Sequence, residues 1–323
     1  MIDALWQFPV PLLALWAVLA GLWLWARPVS GRRLLDWAYP LLPLGVAMLP
    51  GLWPTQTWLT VWLQAGLWLW VWLTVVWVIS LLKRDSSIMD IAFGLLMLAL
   101  PWWLQAQQGG VGAGTATLAL WLATLGFGRY SLHILRRNLP HGEDARYARW
   151  RERSGSRWWW WSYFQVFLLQ GVVLWVWALP LVLAVGLPAA PLGPLDALGA
   201  AVWALGFVFE AGGDWQLTRF LRTRRDRSQL LDTGLWALTR HPNYFGQTCM
   251  WWGYGVFALA HPWGWLSVVP LAYVTWFMNQ GSATSLMERH MAKTKPGYAH
   301  YCATVPAFFP RPPSRAPASK DTP

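Results

Sequence analysis

The sequence has few charged residues for its length. Asp, Glu, Lys and Arg make up 12% of the 323 residues, against about 25% in an ordinary soluble domain. Because 56% of the residues are hydrophobic, the composition excludes a disordered chain. It also argues against a soluble globular enzyme.

Several motifs of soluble and metal-dependent enzymes are absent. The two cysteines, Cys249 and Cys302, form no CxxC motif. The six histidines form no HExxH motif and no dense cluster, so we expect no zinc or di-iron site. The chain also lacks a P-loop, a GxSxG motif and a GxGxxG motif followed by an acidic residue.

Apolar and aromatic residues are present in excess. The mean hydropathy is +0.33, and 30 residues are Trp. Amphipathic indole rings favour the interface between membrane and water. The composition therefore indicates a protein that meets this interface many times.

The apolar segments predict an all-α, polytopic membrane helix bundle with nine spans, since one span needs about 20 mostly apolar residues. The nine predicted spans are Leu5–Ala26, Leu34–Leu52, Thr57–Leu82, Ser87–Gln105, Ala113–Leu135, Trp158–Val182, Leu195–Leu217, Tyr244–Ala260 and Trp265–Ser282. No basic residue precedes the first apolar run, which favours a first span over a cleaved signal peptide.

The basic residues predict the orientation of this bundle. The chain carries a net charge of +11 with 25 Lys and Arg. All of these except Arg129 lie in the odd-numbered linkers between predicted spans or in the C-terminal tail. The positive-inside rule then places the N-terminus outside and the C-terminus in the cytoplasm. Lys and Arg serve here as topology signals, and no nucleic-acid partner is expected.

Ionisable residues gather near the predicted cytoplasmic ends of spans four to eight. One stripe on a helix contains Arg129, His133 and Arg136; a second contains Glu210, Asp214 and Arg222; and Asp90 lies just inside span four. Burying such residues within a bilayer costs free energy, so each is expected to have a polar partner or a function. Salt bridges between helices and a functional site both explain them.

The segment from Leu231 to Gln247 is the strongest local signal. Thr233-Gly234 predicts a turn, and Pro242 suits the first position of a helix with His241 at its cap. A helix start binds phosphate well, and Arg240 and His241 would add donors. A tight loop capped by its own polar residues is the alternative.

These motifs resemble the steroid 5-alpha-reductase-like superfamily, in particular a bacterial branch of proteins with a 3-oxo-5-alpha-steroid 4-dehydrogenase C-terminal domain. The resembling segments are Arg240-His-Pro-Asn-Tyr-Phe-Gly246, Trp251-Trp-Gly-Tyr254, Glu210-Ala-Gly-Gly-Asp-Trp-Gln216, Asp232-Thr-Gly-Leu-Trp236, Arg136-Arg-Asn138, Gly142-Glu-Asp-Ala-Arg-Tyr147, Phe164-Gln-Val-Phe-Leu-Leu-Gln170 and Pro296-Gly-Tyr-Ala-His-Tyr301. The resemblance divides the chain into N-terminal helices (1–80), a catalytic domain (81–310) and a tail (311–323) that we expect to be disordered.

The resemblance implies an NADPH-dependent reductase in the bacterial inner membrane, with its active site facing the cytoplasm. Hydride would pass to the alkene carbon of a lipophilic enone, such as a steroid, and membrane lipids would surround the spans. Asn243 matches the residue that holds the nicotinamide end, Asp214 a residue of the cofactor site, and Arg219 or Arg222 the following arginine. The full set of implied cofactor-binding residues is Arg137, Arg146, Asp214, Arg219, Arg222, Arg240, His241, Asn243 and Tyr244.

The chain departs from the steroid reductases at their proton donor. They have Tyr where this chain has Ile134, and Tyr130 lies one turn earlier on the same face. They have Glu where this chain has Gln247, and Asp90 is the nearest acidic candidate on an early span. The catalytic candidates are therefore Tyr130, Asp90 and Gln247.

Two other functions fit parts of the sequence. Membrane methyltransferases of the isoprenylcysteine or phospholipid type, which use S-adenosylmethionine, share an Arg-His-Pro-x-Tyr-x-Gly segment. They follow it with a Glu-Glu pair, where this chain has only Glu288. A transporter would show repeated halves with broken helices at the midplane, and the sequence has no such repeat.

Overall fold

The computed structural model describes residues 10–26, 38–48, 57–138, 140, 142–188 and 190–313. Parts of the first two predicted spans (5–9, 34–37 and 49–52) and the tail from residue 314 lie outside the described residues. The described residues are helical or irregular and contain no β-strand. The chain divides into two compact units, residues 1–189 and 190–323. The predicted domain boundary at residue 80 falls inside a helix of the first unit.

Unit 1 contains nine α-helices in its described part. They are α1 (Val10–Ala26), α2 (Leu42–Met48), α3 (Trp58–Lys83), α4 (Ile88–Gln107), α5 (Thr115–Asn138), α6 (Ala145–Ser154), α7 (Trp158–Ser162), α8 (Leu169–Trp177) and α9 (Leu179–Val185). Short 3-10 turns precede α2 (Tyr39–Leu41) and α7 (Gly155–Arg157), and a π-helical segment, Tyr163–Leu168, joins α7 to α8.

Unit 2 contains five α-helices in its described part. They are α10 (Pro194–Thr223), α11 (Pro242–Ala258), α12 (Val268–Gln280), α13 (Ser282–Thr294) and α14 (Tyr298–Thr304). Two 3-10 turns, Gly234–Ala237 and Gly264–Ser267, precede α11 and α12.

The protein has helices suited to a membrane. In the described part of the chain, α3, α4 and α10 are long and apolar enough to cross a bilayer. A fourth candidate is bent by 50° between Ala145–Trp177 and Leu179–Val185. These helices coincide with the predicted spans three, four, six and seven. The prediction of apolar helices long enough to cross a membrane is confirmed for these segments, whereas the count of nine and the orientation stay predictions.

Local sequence explains where α3 begins and ends. The Thr57 hydroxyl accepts a hydrogen bond from the backbone N–H of Thr60, and the Thr60 hydroxyl accepts one from the N–H of Thr57. This reciprocal capping box satisfies two donors at the helix start. At the other end, Arg84 has a left-handed backbone with φ of 54°, a conformation that stops a helix.

Tryptophans hold α3 against α8 in unit 1. The Trp62 and Trp175 rings stack with centroids 4.0 Å apart. The Trp62 indole N–H donates to the Trp175 carbonyl at 3.0 Å, and the Trp175 indole N–H donates to the Trp62 carbonyl at 2.8 Å. This reciprocal pair packs two large rings, of which Trp175 is buried, while satisfying the only polar atom of each ring.

Glycines allow α10 and α11 to approach closely in unit 2. A Cβ atom added to Gly206 would lie 2.5 Å from the Gly246 carbonyl oxygen, and one added to Gly253 would lie 2.9 Å from that of Gly199. Small residues at such an interface bring two backbones together, as in membrane helix pairs. The contact aligns the polar end of α10 with the start of α11.

Candidate functional site

The start of α11 is formed as the sequence predicts. Gly234 has φ of +63° at the predicted turn. The helix begins at Pro242, with His241 as its N-cap residue. Proline suits this position because it has no backbone N–H, and a first-turn N–H has no partner within the helix. The predicted helix start is therefore confirmed.

Two candidate residues from different helices are in direct contact here. The Asn243 side-chain amide donates to Oδ1 of Asp214 at 3.1 Å, and its own oxygen accepts from the Tyr244 backbone N–H at 3.1 Å. Asp214 is buried in the second half of α10, one turn after the buried Glu210. The structure thus brings together two side chains 29 positions apart in the sequence.

Arg240 and His241 share one acidic partner. Oε1 of Glu288 lies 3.0 Å from Nε of Arg240, 2.9 Å from Nη2 of Arg240 and 3.1 Å from Nε2 of His241. The hydrogen bond from His241 is the main cause that lowers the pKa of Glu288 to about 2; burial acts in the opposite direction, and Arg240 adds to the lowering. Glu288 therefore carries a negative charge at neutral pH.

Sequence reasoning did not place Glu288 in this site. The residue lies 47 positions after His241 and drew attention only in the comparison with methyltransferases. The available signal was an acidic residue in a helix whose other charged residues, Arg289 and Lys293, are basic.

The remaining unit 2 candidates occupy different environments. Tyr244 stacks on His241 with ring centroids 5.4 Å apart. Gln247 is buried in α11. The Arg219 guanidinium lies 5.6 Å from the Trp215 ring centroid. Arg222 is exposed, and its side chain makes no hydrogen bond or ion pair to any described residue.

A small, mostly apolar cavity adjoins this cluster within unit 2. Its volume is about 130 Å³, and its wall includes Arg240, His241, Met287, Met291 and Tyr298. No group of three His, Cys, Asp or Glu side chains in the described parts of the chain is placed to hold a metal ion. The polar groups at the start of α11 are amide, carboxylate, imidazole and guanidinium, which suit an organic cofactor with phosphate and amide groups.

Unit 1 contains a second polar cluster, around Asp90 on α4. The Tyr147 hydroxyl donates to Oδ1 of Asp90 at 2.9 Å, and Arg146 Nη2 lies 3.4 Å from Oδ2. The Gln170 amide donates to the Tyr147 oxygen at 3.5 Å. Three helices, α4, α6 and α8, contribute to it. Tyr147 and Gln170 were not among the predicted site residues.

Acidic residues just before α6 hold that helix in place. Glu143 accepts hydrogen bonds from the Ser86 backbone N–H at 2.8 Å and from Arg151 Nη2 at 2.7 Å. Asp144 caps α6 and accepts from Nε of Arg146 at 3.0 Å. Burial raises the pKa of Asp144, but the hydrogen bonds from Arg146 outweigh burial and lower this pKa below its ordinary value.

The other unit 1 candidates lie on α5. Tyr130 packs with its ring centroid 5.9 Å from that of Phe93. Arg137 donates from Nε to the Asn138 side-chain oxygen at 3.1 Å, close to the end of the helix.

Comparison with known proteins assigns the family. A family model described as proteins of unknown function, DUF1295, matches residues 76–305. The chain belongs to this family. The match begins close to the predicted boundary at residue 80 and includes both polar clusters. No curated protein and no solved structure matches the chain.

Proposed function

We propose that the protein is a membrane-embedded, NADPH-dependent reductase of a carbon–carbon double bond in a steroid-like or other lipophilic enone. The DUF1295 family is linked to steroid 5-alpha-reductase-like membrane proteins, and the motifs quoted above resemble that superfamily. Apolar helices long enough to cross a bilayer agree with a lipophilic substrate.

The contact between Asn243 and Asp214 carries this proposal. The resemblance assigns both residues to the cofactor, although they lie on different helices and 29 positions apart. A side-chain hydrogen bond of 3.1 Å joins them beside a helix start. Chance resemblance of two separate segments would not require their polar side chains to meet.

The side chains present suit NADPH. The Asn243 amide can exchange hydrogen bonds with a carboxamide, and the Asp214 carboxylate can accept from ribose hydroxyls. Arg219 and Arg222 offer guanidinium groups for phosphate oxygens. When bound, the cofactor would supply the hydride that reduces the double bond.

The Asp90–Tyr147 pair is our candidate for handling the proton. The Tyr147 hydroxyl donates its proton toward Oδ1 of Asp90, so these two oxygens can share a proton. Gln170 and Arg146 orient the two groups from either side. Tyr130 remains the candidate that the sequence alone favours.

The proposal includes a topology of nine spans in the inner membrane, with the N-terminus outside and the catalytic groups open to the cytoplasm. The all-but-complete segregation of Lys and Arg supports it. A cysteine label at residue 153 that reacts only from the cytoplasmic side would agree with this topology. Labelling from the periplasmic side would overturn it, because NADPH is cytoplasmic.

The direct test is cofactor binding followed by turnover. Purified protein is titrated with NADPH and NADPH fluorescence is followed; oxidation of the cofactor is then measured with a 3-oxo-4-ene steroid and with shorter enones. Saturable binding and enone-dependent oxidation are expected. Absence of NADPH binding would overturn the proposal.

A membrane methyltransferase is the second candidate. The observation that favours it is the contact of Glu288, on a late helix, with both Arg240 and His241. Calorimetry with S-adenosylmethionine separates the two functions. Heat of binding for S-adenosylmethionine, with no NADPH binding, would replace the reductase by the methyltransferase.

A further inference from the structure

The start of α11 is fastened to the C-terminal part of unit 2 by hydrogen bonds to backbone carbonyls. Arg240 donates from its backbone N–H to Pro306 O at 3.0 Å and from Nη1 to Val305 O at 3.0 Å. The Thr239 hydroxyl donates to Ala307 O at 3.2 Å. We call residues 302–307, with Glu288, the C-terminal clasp.

Glu288 is the charged centre of this clasp. Its Oε1 receives both Arg240 and His241, whose side chains are only 12% and 5% exposed, whereas the Glu288 side chain is 28% exposed. Two side chains with ring or guanidinium N–H groups this deeply buried need an internal hydrogen-bond partner. One oxygen therefore compensates the charge of Arg240 and fixes a hydrogen bond to Nε2 of His241.

Buried aromatic and aliphatic side chains pack against the C-terminal clasp. Tyr298, Tyr301 and Val305 form a buried cluster against which Leu230 and Met291 pack. The Tyr301 hydroxyl donates to Trp236 O at 2.6 Å, in the 3-10 turn that leads to α11. The clasp thus packs against a buried cluster and is joined by a hydrogen bond to the turn before α11.

We propose that Glu288 is a positioning residue, which orients Arg240 and His241 and thereby fixes the first turn of α11 with Asn243. The position follows from the geometry: His241 is the N-cap residue, its carbonyl accepts from Phe245 N–H at 3.0 Å, and Asn243 lies between them. A shift of His241 would therefore move Asn243 relative to Asp214. The expected effect of Glu288 on NADPH binding rests on the proposed function. The role of Glu288 in positioning Arg240 and His241 does not.

Hydrogen–deuterium exchange of the full-length protein in nanodiscs tests the clasp. Glu288→Ala removes the shared acceptor, so amides of 240–247 and 302–307 should exchange about tenfold faster or more. Glu288→Gln keeps the size but loses the charge, and Glu288→Asp keeps the charge. We expect these amides to exchange faster in Glu288→Gln than in the wild type, and at a rate closer to the wild type in Glu288→Asp. The matched control is Glu152→Ala, an exposed glutamate of α6, which should leave these peptides unchanged.

The outcomes separate the clasp from the cofactor. Unchanged exchange of 240–247 in both Glu288→Ala and Glu288→Gln would overturn the proposal. If Glu288→Ala does not fold, the Gln and Asp pair decides the question. NADPH affinity is expected to fall about tenfold in the variants with faster exchange. Faster exchange with unaltered NADPH affinity would support the role of Glu288 in the clasp and count against the assignment of Asn243 to the cofactor. The same conclusion would follow if even the wild type bound no NADPH.

Discussion

Tyr147 and Asp90 are joined by a hydrogen bond of 2.9 Å although they are 57 positions apart in the chain. The Tyr147 side chain is almost fully buried, at 4% exposure, so its hydroxyl needs an internal partner. The same carboxylate also receives Arg146. In the proposed reductase, this pair would hold the proton for the reaction.

Tyr147→Phe should lower the rate of enone reduction about 100-fold or more, the usual contribution of a positioned acid or base. NADPH affinity should stay within about twofold, because the phenol is not assigned to the cofactor. Single-turnover oxidation of NADPH measures the effect. Tyr273→Phe on α12 is the matched control. If instead Tyr130→Phe loses activity and Tyr147→Phe keeps it, Tyr130 is the donor.

Asn243→Ala and Asp214→Asn should each weaken NADPH binding about tenfold, because the first removes the amide assigned to the cofactor, the second replaces a charged acceptor by a neutral amide, and each disturbs the other residue. Fluorescence titration measures the dissociation constant. Asn279→Ala, on α12, serves as the control and should bind NADPH as the wild type does. Equal affinities in all three variants would contradict the assignment of this contact to the cofactor.

The Glu288 ion pairs predict a dependence of stability on pH. The folded pKa of Glu288, about 2, lies below its ordinary value of 4.5, so its contribution is fully present above pH 4.5 and is lost as the pH falls toward 2. The difference in midpoint of thermal unfolding between wild type and Glu288→Gln should shrink as the pH falls from 4.5 toward 2. A difference that grows as the pH falls would contradict this sign.

Gly246→Ala should destabilise the protein by about 1–3 kcal/mol, the usual cost of forcing an extra group into a packed interface. The added methyl group would meet the Glu210 backbone on α10. Gly128→Ala on α5 is the control, because nothing lies within 4 Å of its added Cβ; it should be neutral or slightly stabilising. Thermal unfolding in detergent compares the two variants.

Much of the local structure followed from short stretches of sequence. Apolar segments predicted α3 and α4 closely, whereas α10 continues to Thr223, beyond the predicted end at Leu217, because hydropathy reports only the apolar part of a helix. Pro242 and His241 predicted the start of α11 because backbone chemistry at a helix start is a local matter. Asp214 stood out as an ionisable residue on a predicted helix stripe, and the resemblance of the motifs assigned it, with Asn243, to the cofactor.

The partners of the polar residues did not follow from the sequence. The sequence did not predict that Tyr147 and Gln170 lie beside Asp90, or that Glu288 lies beside His241. These partners come from different helices, and no periodicity in the sequence links one helix to the other. Tyr130 was preferred because it lies on the same predicted helix face as Ile134, where the steroid reductases have Tyr. Helical spacing indicates which residues share a face, but not which residues of other helices they contact.

Sequence alone therefore determined that this chain forms apolar helices, where its Lys and Arg concentrate, and where the helix after Arg240-His-Pro begins, because hydropathy, charge and capping act over a few residues. Tertiary structure alone decided that Asp214 meets Asn243, that Asp90 meets Tyr147 and that one carboxylate serves both Arg240 and His241. These contacts depend on how closely whole helices approach, and that approach is set by glycines and large rings packed between distant segments.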